Sequence, residues 1–564
     1  MPSTPDRPDS PKSDAPTEPS ASELSAKAGD AAKAGDEERK KITGRAGVVA
    51  AGTLASRILG LGRDIALAAI FSRSATDAFF VAFTIPNALR QLLAEGAVQN
   101  AILPVLAQTK ERDGDAAAQR FYGAMRGLSL VILLAVSALG VVFAPELVDL
   151  FASGFRDQPG QFERTVELTR WVFPYIFFMG TAALGVAALN THRRFVVTSF
   201  APALLNVAFI AFALLLPGWL GARGYDQVLA MAFGALVGGA LQVIAQWPSL
   251  RAIGYFGRPS FDFANPGVRE ALRRMGPTLF GIGVYYIDVV VARRFLSELG
   301  VGAQSYFAWA LRLCDFPQGI FVMALQSAML PSLSLLAARK DMLELSKTFA
   351  YGLRLALFVG LGATALFVAL AEPLVVLILQ RGEFDAVAAR ETANALMAQG
   401  LGIWMVACTR QLVAVYFALG DTRTPVIVAA CDFCCFVVLA LLFKGSLGHV
   451  GISLAVAGAS GAQMILLWVL LKSRLDHLHT RDILGSAAKS LLAAAAAGAT
   501  GLFAARALQA GEGGHWLARM LPGVVGASIF GATFLVTAKL LKSEELSAIG
   551  GPLLRRLARR RPAA

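Results

Sequence analysis

Charged residues stand in this chain where a bilayer should exclude them. The first long apolar segment, 47–71, carries Arg57, Arg63 and Asp64, and the next, 77–106, carries Arg90 and Glu95. An ionised side chain at the centre of hydrocarbon costs roughly 2.5–3.5 kcal/mol even on insertion-based scales, so an isolated helix would not keep several. These segments must border a polar cavity. If the arginines dominate that cavity it is cationic, and a cationic cavity inside a membrane points to an anionic cargo.

Composition sets the class. Of 564 residues 56% are hydrophobic and 16% charged, against about 25% charged in soluble domains, and the mean hydropathy is +0.58. The chain reads as an all-α polytopic membrane protein with fourteen segments long enough to cross ~30 Å of hydrocarbon. The first lies at 47–71, the eleventh and twelfth at 424–443 and 450–472, an alanine-rich thirteenth at 484–506 and the last at 521–541. All five cysteines, Cys314, Cys408, Cys431, Cys434 and Cys435, fall inside these segments and are expected to be small core residues, since neither metal-ligand spacing nor a disulfide framework is present.

The net charge of +13 could point to nucleic acid, but its distribution follows membrane topology instead. Positive residues cluster in alternate loops, among them Lys110 and Arg112, Arg193 and Arg194, Arg273 and Arg274, Arg339 and Lys340, Lys472 and Arg474, and the final run from Arg555 to Arg561. The positive-inside rule then puts both termini in the cytoplasm. Residues 1–45, rich in Ser, Pro and Ala, read as a disordered cytoplasmic tail, and 544–564 as a basic cytoplasmic tail.

An internal repeat gives the architecture. The segment from Ala97, AVQNAILPVLA, matches ALQSAMLPSLS from Ala324 at six of eleven positions without a gap, an offset of 227 residues. Each repeat then holds six spans, an even number, so the copies share one orientation and are related by a pseudo-twofold axis along the membrane normal. The expected division is a six-helix lobe over 46–250, a second over 251–475, and two further helices within 476–543. Spans one, two, seven and eight would line the central cavity.

Spacing supports an inward orientation for the charges. Arg57, Gly60 and Asp64 share a face of span one, and Arg312 and Asp315 a face of span eight, just before Pro317. Pro86 is expected to loosen span two as Pro317 loosens span eight, and broken helices at membrane depth are tolerated only beside protein or water. The plainer alternative makes Arg57 with Asp64, and Arg312 with Asp315, neutralising intrahelical pairs.

The runs SRILGLGRD from Ser56, ATDAFFVAF from Ala75, PNALR from Pro86, AEGA from Ala94 and LPSL from Leu330 resemble the MurJ (MviN) family of lipid II flippases, in the multidrug/oligosaccharidyl-lipid/polysaccharide exporter superfamily. The resemblance covers about 47–540. It implies a transporter of the bacterial inner membrane, not an enzyme and without a cofactor, that moves the undecaprenyl-pyrophosphate-linked disaccharide-pentapeptide to the outer leaflet by alternating access. It implies lipid II and membrane lipids as partners, leaves room for a cell-wall synthesis complex and gives no role to nucleic acid. Carried over residue by residue, the family's cavity arginines correspond to Arg57, Arg63, Arg90 and Arg312, and its acids in spans one and two to Asp64, Asp77 and Glu95. Asp77, at the outer end of span two, would suit a gate, and Asp64, Glu95 and Asp315 would pair with arginines.

Departures from the family pattern are specific. Leu311 replaces the acid usual before the span-eight arginine, and Asp315 stands where Glu is common. The positions matching the sodium ligands of some members are Ala292, Phe436, Ala440 and Val456, none of which ligates sodium through a side chain. Asp288 and Asp432 each lie one turn before a lost position and are expected to form a proton- or cation-sensitive coupling pair; the alternative is that Asp288 pairs with Arg293 or Arg294. Other functions remain open at this stage: a flippase for another polyprenyl-linked glycan, a drug exporter, a membrane glycosyl- or phosphotransferase, or a transport-inactive scaffold.

Overall fold

The computed structural model describes residues 47–92, 101–475, 477–508 and 516–549, and every regular element among them is helical. Glu95 lies outside the described residues. Among those described, nine helical stretches are long and apolar enough to cross a membrane. Some of these hold more than one crossing. The 50 residues of Arg423–Lys472 would rise about 75 Å as one helix, more than twice the hydrocarbon thickness. Gly448, at φ 56° and ψ −134°, breaks the run. The chain then doubles back so tightly that a Cβ on Gly451 would meet the Phe443 carbonyl oxygen at 2.5 Å. Gly114, at φ 81°, breaks Leu103–Val142 in the same way.

Helix boundaries repeat at the offset read from the sequence. Ala144–Ala152 and Ala371–Leu379 start and stop 227 residues apart, as do the ends of Tyr175–Thr191 and Ile403–Ala418. Gln91 and Gln318, separated by the same 227 residues, each follow the last α-helical residue and enter a π-helical turn. Such turns carry one extra residue, release the regular hydrogen-bond ladder and are frequent at functional sites. Pro317 ends Ala303–Pro317 directly before its π segment. Pro86 instead sits inside the intact helix Arg73–Arg90, and the loosening comes only at Gln91.

One apolar cluster ties the two repeats together. It packs Leu67, Phe79 and Phe80 against Trp309, Leu370 and Phe384, with Trp309 edge-on to Phe80 at 5.5 Å and to Phe384 at 4.9 Å. This closes the end of the molecule that carries Ser72–Asp77 and Gly302–Ser305. Toward the opposite end, near Val49, Ser199 and Met323, the repeats part around a cavity. The helices Thr480–Ala507 and Trp516–Leu540 pack on each other and on Met342–Ala369 and Ala371–Leu379. Their outward faces are apolar, with Leu484, Leu492, Phe503 and Leu540 exposed, as hydrocarbon-facing side chains should be. Cys314 and Cys408 are buried as expected, but Cys431 and Cys434 are exposed and Cys435 is intermediate. That expectation fails because lipid is as apolar as a protein interior, so composition alone does not tell the two faces apart.

Candidate functional site

Helix 47–70 and helix Ala303–Pro317 bring their charges face to face. Asp64, 5% exposed, accepts from Arg63 Nε at 3.0 Å and Nη2 at 2.8 Å, and its second oxygen lies 3.9 Å from Nε of Arg312. A single carboxylate thus joins arginines from both repeats. Arg63 is also oriented from the side: Nη1 donates to Asn206 Oδ1 at 3.2 Å, and Asn206 Nδ2 donates to the Ser56 carbonyl at 3.0 Å. Its guanidinium sits 5.5 Å from the centre of the Phe209 ring, a cation–π distance.

Arg57 crosses to the other repeat. Its guanidinium lies against Gly319, where a Cβ would overlap Nη1 and Nη2, so the guanidinium keeps this place only beside glycine. Among the described residues no ion pair joins Arg57 to Asp64, because Asp64 is engaged by Arg63. Arg312 and Asp315 likewise form no direct ion pair there; Asp315 instead lies within reach of the charges of Arg312, Arg410 and Arg57. Arg90 donates Nε to Asn87 Oδ1 at 3.0 Å.

Three adjoining cavities of about 450, 750 and 180 Å³ have Arg63 and Arg312 in every wall. Arg90 lines the first, Arg57 and Arg410 the second, and Asp64, Asp315 and Arg293 the third. Arg312 is 49% exposed, and its exposure is to this internal space. Six guanidinium groups against two carboxylates leave the lining strongly positive. Guanidinium stays ionised in a dry cavity and offers paired donors matching phosphate oxygens, so the arrangement has the chemistry to hold a phosphate-bearing anion.

Asp77 stands apart from this space. It is fully buried and accepts from the Ser305 amide at 2.8 Å, the Ser305 hydroxyl at 2.5 Å and the Gly302 amide at 2.5 Å. It therefore caps helix Ala303–Pro317 from across the repeat boundary, where amide dipoles favour a negative charge. Arg73 adds two cross-links at the same end, to Tyr306 Oη at 3.2 Å and to Asp385 at 2.9 Å.

Asp288 and Asp432 meet in a fourth cavity of about 350 Å³. Each has one carboxylate oxygen buried without a hydrogen-bond partner, and they are close enough for their charges to interact. Among the described residues no ion pair joins Asp288 to Arg293 or Arg294; Arg293 donates to Gln304 Oε1 at 2.9 Å instead. Ala292, Phe436 and Ala440 pack in one apolar cluster with Val456 at its edge, so the four positions do converge beside the two acids. No group of three or more His, Cys, Asp or Glu suited to a metal ion occurs among the described residues.

Asn206, Gly319, Arg293 and Arg410 escape the sequence reading as members of the site. Arg410 carries a usable signal, an arginine inside the apolar run Ile403–Ala418. Asn206 and Gly319 are neutral and carry none.

Comparison with known proteins agrees with this geometry. The family model described as lipid II flippase MurJ matches residues 67–536. A lipid II flippase MurJ from Burkholderia cenocepacia is 35% identical over 428 residues, 75% of this chain and 82% of the relative. A probable lipid II flippase MurJ from Bdellovibrio bacteriovorus is 33% identical over 462 residues, 81% of this chain and 87% of the relative. In fold, the chain is similar to a solved lipid II flippase MurJ in an inward closed conformation, with a TM-score of 0.70 at 21% identity, covering 87% of this chain and 99% of that one. It is also similar to an inward-facing MATE family transporter of the MOP superfamily, with a TM-score of 0.62 at 15% identity, covering 75% and 96%. A family match spanning most of the sequence, and relatives above 30% identity over three quarters of it or more, place the chain in the MurJ family of lipid II flippases.

Proposed function

We propose that this protein moves lipid II, the undecaprenyl-pyrophosphate-linked disaccharide-pentapeptide, from the inner to the outer leaflet of the bacterial inner membrane. The observation that carries the reading is the excess of guanidinium over carboxylate in the central cavity. Arg57, Arg63, Arg90 and Arg312 bind the pyrophosphate; Asp64 and Asp315 hold the arginines when the site is empty, and Glu95 has the same role. Asp77 closes the gate at the end where it caps Ala303–Pro317. No covalent step is involved. A drug exporter for cations would need the opposite charge balance.

Alternating access then amounts to rocking of two lobes, 46–250 and 251–475, around the arginines. The chain crosses the membrane fourteen times with both termini cytoplasmic, and helices 13 and 14, within 476–543, hold the polyprenyl tail in hydrocarbon while the head group crosses. Asp288 and Asp432 couple the cycle to a proton or cation gradient. A cell-wall synthesis complex is the natural recipient of the product. Depleting the protein in cells tests the reading: lipid II should accumulate on the cytoplasmic face, and unchanged externalisation would overturn it.

A further inference from the structure

Arg410 belongs to two cavities at once. It comes from helix Ile403–Ala418 and lines the 750 Å³ space with Arg57, Arg63 and Arg312. It also lines the 350 Å³ space with Asp288 and Asp432. Its Nε is buried and has no hydrogen-bond partner, and no ion pair within 4.0 Å engages it among the described residues. The charged groups that line these spaces with it are Arg57, Arg63, Arg312 and Asp315 in the first and Asp288, Arg293, Asp315 and Asp432 in the second. A guanidinium with one buried, unsatisfied donor is costly where it stands. Its long, flexible stem can be redistributed between the two spaces.

We propose that Arg410 is a positioning residue shared by the head-group cavity and the acidic cavity, so that a diphosphate in the first competes with Asp288 and Asp432 in the second for one guanidinium. The inference rests on the cationic cavity as the pyrophosphate site. With the central cavity empty, the flexible stem lets Arg410 turn into the space it shares with Asp288, Asp432 and Asp315. A diphosphate draws the side chain toward Arg57 and Arg312 and leaves the two carboxylates facing each other without a counter-charge. Anion binding on one side and the charge state of the other are thereby linked, and the linkage is reciprocal. One arginine in helix Ile403–Ala418 would thus carry the coupling between the head-group site and the Asp288–Asp432 pair.

The test is a double-mutant cycle on the full chain in nanodiscs, with inorganic pyrophosphate as the probe and its affinity measured at fixed pH and salt. Asp432→Asn removes a competitor for Arg410 and should tighten pyrophosphate binding by about fivefold. Arg410→Gln should weaken binding about tenfold, as expected for loss of one charge-assisted contact, and Arg410→Lys should recover part of it. In the Arg410→Gln background, Asp432→Asn should change nothing. A purely structural role for Arg410 would not produce that sign pattern. The proposal is overturned if Asp432→Asn fails to tighten binding, if it tightens equally with Arg410→Gln, or if Arg410→Gln binds like the parent. Should Arg410→Gln not fold, the Asp432→Asn arm alone still decides. Absence of pyrophosphate binding in the unmutated protein would overturn the cavity reading itself, and this inference with it.

Discussion

Asp77 accepts a 2.8 Å hydrogen bond from the amide of Ser305, although 228 residues separate them. The contact joins the start of Arg73–Arg90 to the start of Ala303–Pro317 and is completed by the Ser305 hydroxyl and the Gly302 amide. Removing a helix cap of this kind costs about 1–2 kcal/mol, enough to shift a two-state gate roughly tenfold. Asp77→Ala should therefore populate a state opened at this end. Distances between spin labels at Ser74 and Val301 report it, and an unchanged distribution would show that Asp77 does not hold the gate.

Arg57 depends on the space left by Gly319. A methyl group there would meet the end of a flexible side chain rather than backbone, so Gly319→Ala should displace the guanidinium while sparing the fold. Complementation of flippase loss should fall with little change in thermal midpoint. Asn206→Leu should act in parallel, since it removes the acceptor that orients Arg63 Nη1; losing one charge-assisted bond lowers pyrophosphate affinity by about tenfold. Full complementation by both variants would sink this account of how the arginines are aimed.

Much of this architecture was legible in the sequence, because the features that carry it are chemically loud. Arginines in apolar segments mark the cavity, and a six-residue match marks the repeat that the boundaries of Ala144–Ala152 and Ala371–Leu379 reproduce at the same offset. Asn206 and Gly319 were not legible, since their roles exist only once distant helices touch. Cys431 and Cys434 misled because an outward face in lipid has the composition of a core. Arg410 carries the same signal as Arg57, an arginine inside an apolar run, but lies outside the first two spans of its repeat.

The short helical stretch 544–549, which follows helix Trp516–Leu540, is clamped. Glu545, 2% exposed, accepts from Arg354 Nε at 2.7 Å, Ser486 Oγ at 2.8 Å and Ser543 Oγ at 2.7 Å. Burial pushes its carboxyl up, but the hydrogen bonds from Ser543, its own backbone, Ser486 and Arg354 outweigh that and hold it below its ordinary value of 4.5. A group lowered by folding stabilises above its unfolded value and loses that contribution as pH falls. The clamp should thus hold at neutral pH and weaken below about pH 4.5. Glu545→Ala should cost about 2 kcal/mol and abolish this acid-dependent step in protease sensitivity near 543–549. A step that persists in the variant would assign it to another group.

Helices Thr480–Ala507 and Trp516–Leu540 lie outside the repeat and expose apolar side chains such as Leu492 and Leu535. A photoreactive polyprenyl diphosphate should label them. Labelling confined to 127–249 would contradict the proposal that they hold the tail.

The most direct measurement is transbilayer movement of lipid II by the purified protein in liposomes, with single substitutions Arg57→Ala, Arg63→Ala and Arg312→Ala. Each should insert normally and slow movement at least about tenfold, the effect of losing one charge-assisted phosphate contact, and Lys at the same positions should restore part of the rate because charge is kept while the paired-donor geometry is lost. Movement at the unmutated rate in all three alanine variants would contradict the claim that these guanidinium groups carry the head group across.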